Sequence, residues 1–223
     1  MKPLLFSALL LGLAAAVPAQ AAPDLAATVH YQTRQLTPDG VSRQNEYQER
    51  FLRKGQNAWS RRLLPANTPV VASHGEAGHE HETDLTLAGR WVEQGADGKL
   101  RVRYVAERER AVIEALPGDW SAVGFDESWD EVYYLLPPAV LAGMHKLKTD
   151  TAAGTTLYER RAQGAFERVL WSEKLELPLS IESGRDDGTA WSQVTVTPEA
   201  LPKTLPWQDL SGYAQKEYTD LLD

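Results

Sequence analysis

The chain has 223 residues, no cysteine, and 31 acidic residues against 23 basic ones, for a net charge of −8. Without cysteine, a disulfide, a thiolate metal site, a covalently attached c-type haem and a lipid-modified terminal cysteine are all excluded, so stability must come from burial. The acidic balance repels phosphate backbones and anionic lipid headgroups, which argues against nucleic acid as a partner.

Residues 1–21 read as an export signal: Lys2 is the basic end, Leu4 to Val17 the apolar run, and Ala19-Gln20-Ala21 the small-residue cleavage pattern. Cleavage near Ala21 removes one base and no acid, taking the charge from −8 to −9. No later segment approaches the ~20 apolar residues of a membrane helix, so no membrane span is expected and the periplasm is the expected location. Residues 22–223 are read as a single exported antiparallel β-rich domain, because no Pro/Ser/Gly-rich linker divides them. A chain of this size buries roughly 70% of its surface without needing staples.

Strand signals dominate, as short alternating runs between turn residues. Val29, Tyr31 and Thr33 share one face of a first run that ends at Thr37-Pro38-Asp39-Gly40. A second run carries Val41, Tyr47 and Phe51 on one side, with its charged neighbours assigned to the other. It stops at Lys54-Gly55-Gln56-Asn57, and a third run begins at Ala58. After a histidine-rich stretch the pattern resumes with Leu85 and Leu87, then Arg90 to Gln94, a turn at Ala96-Asp97-Gly98-Lys99, and Leu100, Val102 and Tyr104. Such alternation with tight turns predicts antiparallel hairpins with one buried face.

A helix is predicted over Asp126 to Leu136, capped by Asp126, because Trp129, Val132, Tyr133 and Leu136 recur at i, i+3, i+4 and i+7. Pro137-Pro138 ends it, and Pro138 can start a short second helix carrying Val140, Leu141 and Met144. Strands return over Thr155 to Arg161 and Phe166 to Glu173. Leu175, Leu177, Leu179 and Ile181 then alternate before Arg185-Asp186-Asp187-Gly188 turns the chain into Trp191 to Thr197. Pro178 has no N–H for a ladder, so its strand is expected at an edge or bulged there. Asp209 is expected to cap a last helix with Leu210, Ala214, Tyr218 and Leu221 on one side, weakened by about 1 kcal/mol at Gly212. The predicted core is Tyr47, Phe51, Trp91, Tyr104, Trp129, Leu177, Leu179 and Ile181.

The stretch that reads most like chemistry is His74-Gly-Glu-Ala-Gly-His79-Glu-His81-Glu82, which holds three of the five histidines. Imidazoles gathered with carboxylates suit Zn(II), Cu(II) or Ni(II). If His79 to Glu82 run into a strand carrying Leu85, His79 and His81 point to one face about 6.5 Å apart, a geometry that permits chelation. The same stretch also reads as a solvated polar insertion made flexible by Gly75 and Gly78. His74, His79, His81 and Glu82 are therefore the candidate ligands of an exchangeable Zn(II) or Cu(II), because a flexible site loses ordering entropy on binding. His30 and His145 stand alone as secondary candidates.

No G-x-S-x-G elbow, Gly-rich phosphate loop or cysteine nucleophile is present, and no catalytic residue is assigned. Acid pairs such as Asp126-Glu127, Asp130-Glu131 and Asp186-Asp187 fit helix-start and turn roles. The seven tryptophans fit core packing, or an apolar ligand pocket if several line one concave face.

The succession of meander, central short helices, then Tyr158-Glu159-Arg160-Arg161 through Phe166-Glu167-Arg168-Val169-Leu170-Trp171 to Leu177-Pro178-Leu179-Ser180-Ile181-Glu182 resembles the periplasmic lipoprotein-carrier superfamily of LolA and RseB. The resemblance implies an α+β, mostly antiparallel β fold: a curved, half-barrel-like sheet with a few short helices, holding acyl chains on its concave side. It makes Trp129, Val132 and Tyr133 the plug facing that wall and carries over no ligand-binding residue. The preferred reading is a non-enzymatic periplasmic binding protein whose histidine loop takes a divalent metal. The alternative is a LolA/RseB-like carrier or sensor of an acyl chain or lipoprotein, and the further partners would be an apolar ligand or an envelope protein.

Overall fold

The computed structural model describes residues 22–65 and 84–222. The predicted signal and its cleavage site therefore lie outside the described residues, as do His74, His79, His81 and Glu82. Among the described residues twelve strands form one sheet: β1 Leu25–Leu36, β2 Ser42–Lys54, β3 Asn57–Leu63, β4 Gly89–Gln94, β5 Leu100–Ala106, β6 Ala111–Ala115, β7 His145–Asp150, β8 Thr155–Ala162, β9 Ala165–Ser172, β10 Leu177–Arg185, β11 Ala190–Glu199 and β12 Ala214–Glu217. The spatial order is β12-β6-β5-β4-β3-β2-β1-β11-β10-β9-β8-β7. Two antiparallel meanders thus meet where β1 pairs with β11, Val29 opposite Val196. The sheet is curved and not closed.

The predicted turns are where the hairpins reverse, and four of them carry glycine at positive φ; at Gly40, +83°, and Gly188, +75°, an L side chain would be strained. Pro178 sits next to the predicted bulge: the β9–β10 register shifts between Pro178 and Ser180, although β10 is an interior strand and not an edge. Three strands escape the sequence pattern for a common reason. β6 is a nearly continuous apolar run, Ala-Val-Ile-Glu-Ala, with all but Glu114 buried, while β7 and β12 are exposed throughout. None of them alternates, because none has one wet face and one dry face.

One face of the sheet, here the inner face, is covered by the segment between β6 and β7. A short helix, α1 Trp129–Tyr134, and a 3-10 helix, Pro138–Gly143, lie in that segment. Val132 and Tyr133 bury against Ala58, Val92, Val102, Tyr104 and Ile113, with Trp129 packed alongside. Leu141 and Met144 close the far end over Tyr158, Val169 and Trp171. The aromatic stripe is therefore the plug, as the resemblance implies. The helix is shorter than expected, and its cap is Ser128 rather than Asp126. The Ser128 hydroxyl accepts from the Glu131 N–H while Glu131 accepts from the Ser128 N–H, a capping box that starts the helix three residues later.

The outer face is not simply solvated. Ala26, Leu52, Trp59, Trp91 and Val105 are buried there beneath Leu205, with Leu201, Trp207, Leu210 and Tyr213 packed against them. The sheet is thus sandwiched by two crossing segments. The helix expected after Asp209 is a turn followed by β12, which adds in parallel to β6, and then a 3-10 helix over Tyr218–Leu221. Gly212 at φ +75° breaks the helical path, and the open edge of β6 offers the following residues a ladder of hydrogen bonds. Leu85 and Leu87 likewise lie in a turn, not a strand, and Leu175 is in the β9–β10 turn. Of the predicted core, Phe51, Trp91, Tyr104 and Leu177 are buried, whereas Tyr47, Trp129, Leu179 and Ile181 are half-buried.

Candidate functional site

A cavity of about 300 Å³ opens between the inner face of β1–β4 and the segment carrying α1. Its apolar wall is Val29 from β1, Phe51 from β2, Ala58 from β3, and Val132 and Leu135 from the helix. These positions follow from strand alternation: Val29 pairs with Glu49, Phe51 with Ala27 and Ser60, and Ala58 with Val92, so one pleated face presents them all. Leu135, the residue that ends α1, is held at φ +61°, unusual for a branched side chain. Pro137 follows two residues later and prevents the helix from continuing past it.

The polar wall has Tyr31, Glu49, Arg90, Glu127 and Glu131. Arg90 is committed to Glu127: its guanidinium donates to one carboxylate oxygen at 3.3 Å and lies 2.6 Å from the other, Oε2, which is buried and has no well-directed hydrogen bond among the described residues. Glu131 is committed to the Ser128 cap, whose backbone and side-chain hydrogen bonds hold its carboxyl below the usual range. Glu49 has no ion pair among the described residues. Arg62 faces it in register across β2–β3, yet the Arg62 guanidinium lies over the Tyr47 ring at 4.4 Å. Tyr47 in turn stacks on Tyr31, with ring centroids 4.6 Å apart.

Burial pushes the Glu49 carboxyl above its ordinary range and Glu127 adds to the effect, while Arg90, Arg62 and the Tyr31 hydroxyl oppose it. Burial, with Glu49 next in weight, also holds the Tyr31 hydroxyl above the phenol range. A carboxyl whose folded pKa exceeds its unfolded one makes the folded state the better proton binder. It therefore subtracts stability at neutral pH, and the deficit fades as pH falls through the folded and then the unfolded pKa. Glu49→Gln is accordingly expected to raise the urea midpoint at pH 7 and to lose that advantage toward about pH 4, where free glutamate itself protonates. A variant no more stable than the parent at pH 7 would refute the uncompensated charge.

Among the described residues there is no group of three or more His, Asp or Glu side chains arranged to hold a metal. His30 Nε2 donates to a Glu46 carboxylate oxygen at 2.7 Å, and His145 is exposed on β7. The strand through Leu85 that would align His79 with His81 is a turn at Leu85, so that geometric argument loses its premise. Calorimetric titration of Zn(II) into the whole chain and into a triple His→Ala variant at 74, 79 and 81 tests the histidine loop; equal affinities would remove it.

The sequence reading of β2 puts its charged residues on the solvent side and so misses Glu49. Its signal is arithmetic: it lies two residues after Tyr47 and two before Phe51, so it shares their face.

No protein-family model and no curated protein matches this chain. Solved structures similar to it include a LolA superfamily protein from Nitrosomonas europaea, 11% identical, covering 81% of this chain and 87% of that one, with a TM-score of 0.32. An outer membrane lipoprotein-sorting protein domain from Vibrio parahaemolyticus is 8% identical over 83% and 89%, TM-score 0.32. A DUF1329 family protein from Desulfovibrio piger is 9% identical over 82% and 88%, TM-score 0.38. The likeness is one of overall architecture and gives no residue correspondence.

Proposed function

We propose that this chain is a non-enzymatic carrier or sensor of the cell envelope that holds a single-chain amphiphile in the cavity beneath α1. The observation that carries this reading is the cavity itself, apolar along Val29, Phe51, Ala58, Val132 and Leu135 and polar at one wall. Ligand pockets have this composition, mostly apolar with a few polar groups that fix orientation. A volume of about 300 Å³ stands at the lower end of their range and suits one chain rather than several. Among the described residues no helix is long and apolar enough to cross a membrane, which agrees with a chain that carries its ligand rather than anchoring beside it.

Chain length is the test. Each methylene buried contributes about 0.8 kcal/mol, so affinity for neutral alkanols should rise about fourfold per carbon until the cavity is full and then level off. Ser60→Trp, which places an indole into the cavity from β3, should weaken all of them and shift the plateau to shorter chains. Absence of binding by any alkanol, together with no amphiphile in native mass spectra of protein purified from the envelope, would count decisively against the carrier reading.

A further inference from the structure

We infer that the amphiphile's polar end is a cation, an alkyl ammonium, held on the Glu49 carboxylate beside the Tyr31 ring. This rests on the carrier reading and adds the chemical class of the head group. The inventory of the cavity wall carries it. Among the described residues three carboxylates and one guanidinium line the space, and the guanidinium is already paired with Glu127. Glu131 is occupied by the helix cap. Among the described residues the wall therefore offers a ligand one carboxylate committed to neither an ion pair nor a helix cap, and no unpaired cation.

The charged and titratable groups around Glu49 are Tyr31, Tyr47, Arg62, Arg90 and Glu127. Of the two arginines, Arg90 is paired and the exposed Arg62 stacks on Tyr47. Arg62, in register with Glu49 but lying over the Tyr47 ring, is the nearest competitor for that carboxylate. An anionic head group meets the opposite situation, because it would be brought against Glu49 with Arg90 unavailable. Tyr31 adds to the preference, since an aromatic ring attracts a cation through its quadrupole and repels an anion. Substituting one head-group charge for the other thus changes the sign of the interaction at the polar wall while leaving the apolar wall untouched.

The experiment compares three probes of equal chain length, decylammonium, decanoate and decanol, titrated calorimetrically at pH 7 below their micelle concentrations. Decylammonium should bind at least about tenfold more tightly than decanoate, which is 1.4 kcal/mol. In Glu49→Gln the two should converge, with decanol unchanged. In Arg62→Gln, decylammonium should gain, because its competitor is gone. Lowering the pH toward 4.5 should weaken decylammonium in the parent and leave decanol alone. Equal binding of decylammonium and decanoate, or a preference that survives E49Q, overturns the cation assignment and leaves the carrier reading standing. Failure of all three probes overturns the carrier reading itself, and the assignment with it.

Discussion

Replacing Arg53 with methionine is expected to destabilise the protein by about 3 kcal/mol or more, because each buried carbonyl left without its donor costs about 1–3 kcal/mol. Arg53 has no exposed surface, yet among the described residues no carboxylate pairs with it. Its charge is compensated by main-chain carbonyls. Nε donates to Pro23 O at 3.0 Å, and one terminal nitrogen donates to Tyr133 O at 3.2 Å and Glu176 O at 3.1 Å. The other terminal nitrogen donates to Leu175 O. The guanidinium also lies 5.1 Å and 5.6 Å from the ring centroids of Tyr133 and Tyr134. One side chain on β2 thus ties together the segment before β1, the end of α1 and the β9–β10 turn. Methionine keeps most of the stem volume, so the loss isolates the hydrogen bonds and the orphaned carbonyls they leave behind. Domains of this kind have total stabilities of about 5–15 kcal/mol, so the variant should unfold at a much lower urea concentration. Lysine, a point donor, should recover only part of the loss. A methionine variant within about 1 kcal/mol of the parent would show that the carbonyls find water instead.

The second large effect is expected at Gly89. A Cβ there would stand 2.5 Å from Trp59 Nε1 and 2.7 Å from two further indole atoms. The indole is 3% exposed and sits on the outer face among Leu52, Trp91, Val105 and Leu205, so it has nowhere to move. Gly89→Val should therefore cost about 1–3 kcal/mol by overpacking, read as a lowered denaturation midpoint. The mechanism makes a sharper demand than the magnitude. Trp59 Nε1 has no hydrogen-bond partner among the described residues, so shortening the ring loses apolar area but no hydrogen bond. Trp59→Leu combined with Gly89→Val should be markedly less harmful than the sum of the two, because the valine fills space the indole vacated. Strict additivity would mean that the clash is relieved by backbone movement and that the glycine is not there for the indole.

These two positions also show what is local and what is not. Strand alternation and turns are readable because they depend on neighbours two to four residues away. Val29 and Tyr31, the Pro178 irregularity, and the stripe of Trp129, Val132 and Tyr133 all sit as the sequence predicts. What escaped was whatever depends on how many faces of an element are covered. β6 is dry on both sides and β7 wet on both, and the outer face is closed by the segment from Leu201 to Tyr213, far along the chain from the strands β3 to β5 beneath it.

β2 carries the clearest case. Glu49, Phe51 and Arg53 occupy one alternating register, and by sequence alone the two charges on that face are equivalent anomalies. Period-two geometry determines that both point inward. Only the folded chain decides their fates, because the groups that would compensate them come from residues far along the sequence. Carbonyls from residues 23, 133, 175 and 176 converge on Arg53 and make it a structural tie. Nothing comparable reaches Glu49, because Arg90 is taken by Glu127 and Arg62 by Tyr47, and the carboxylate is left facing a cavity.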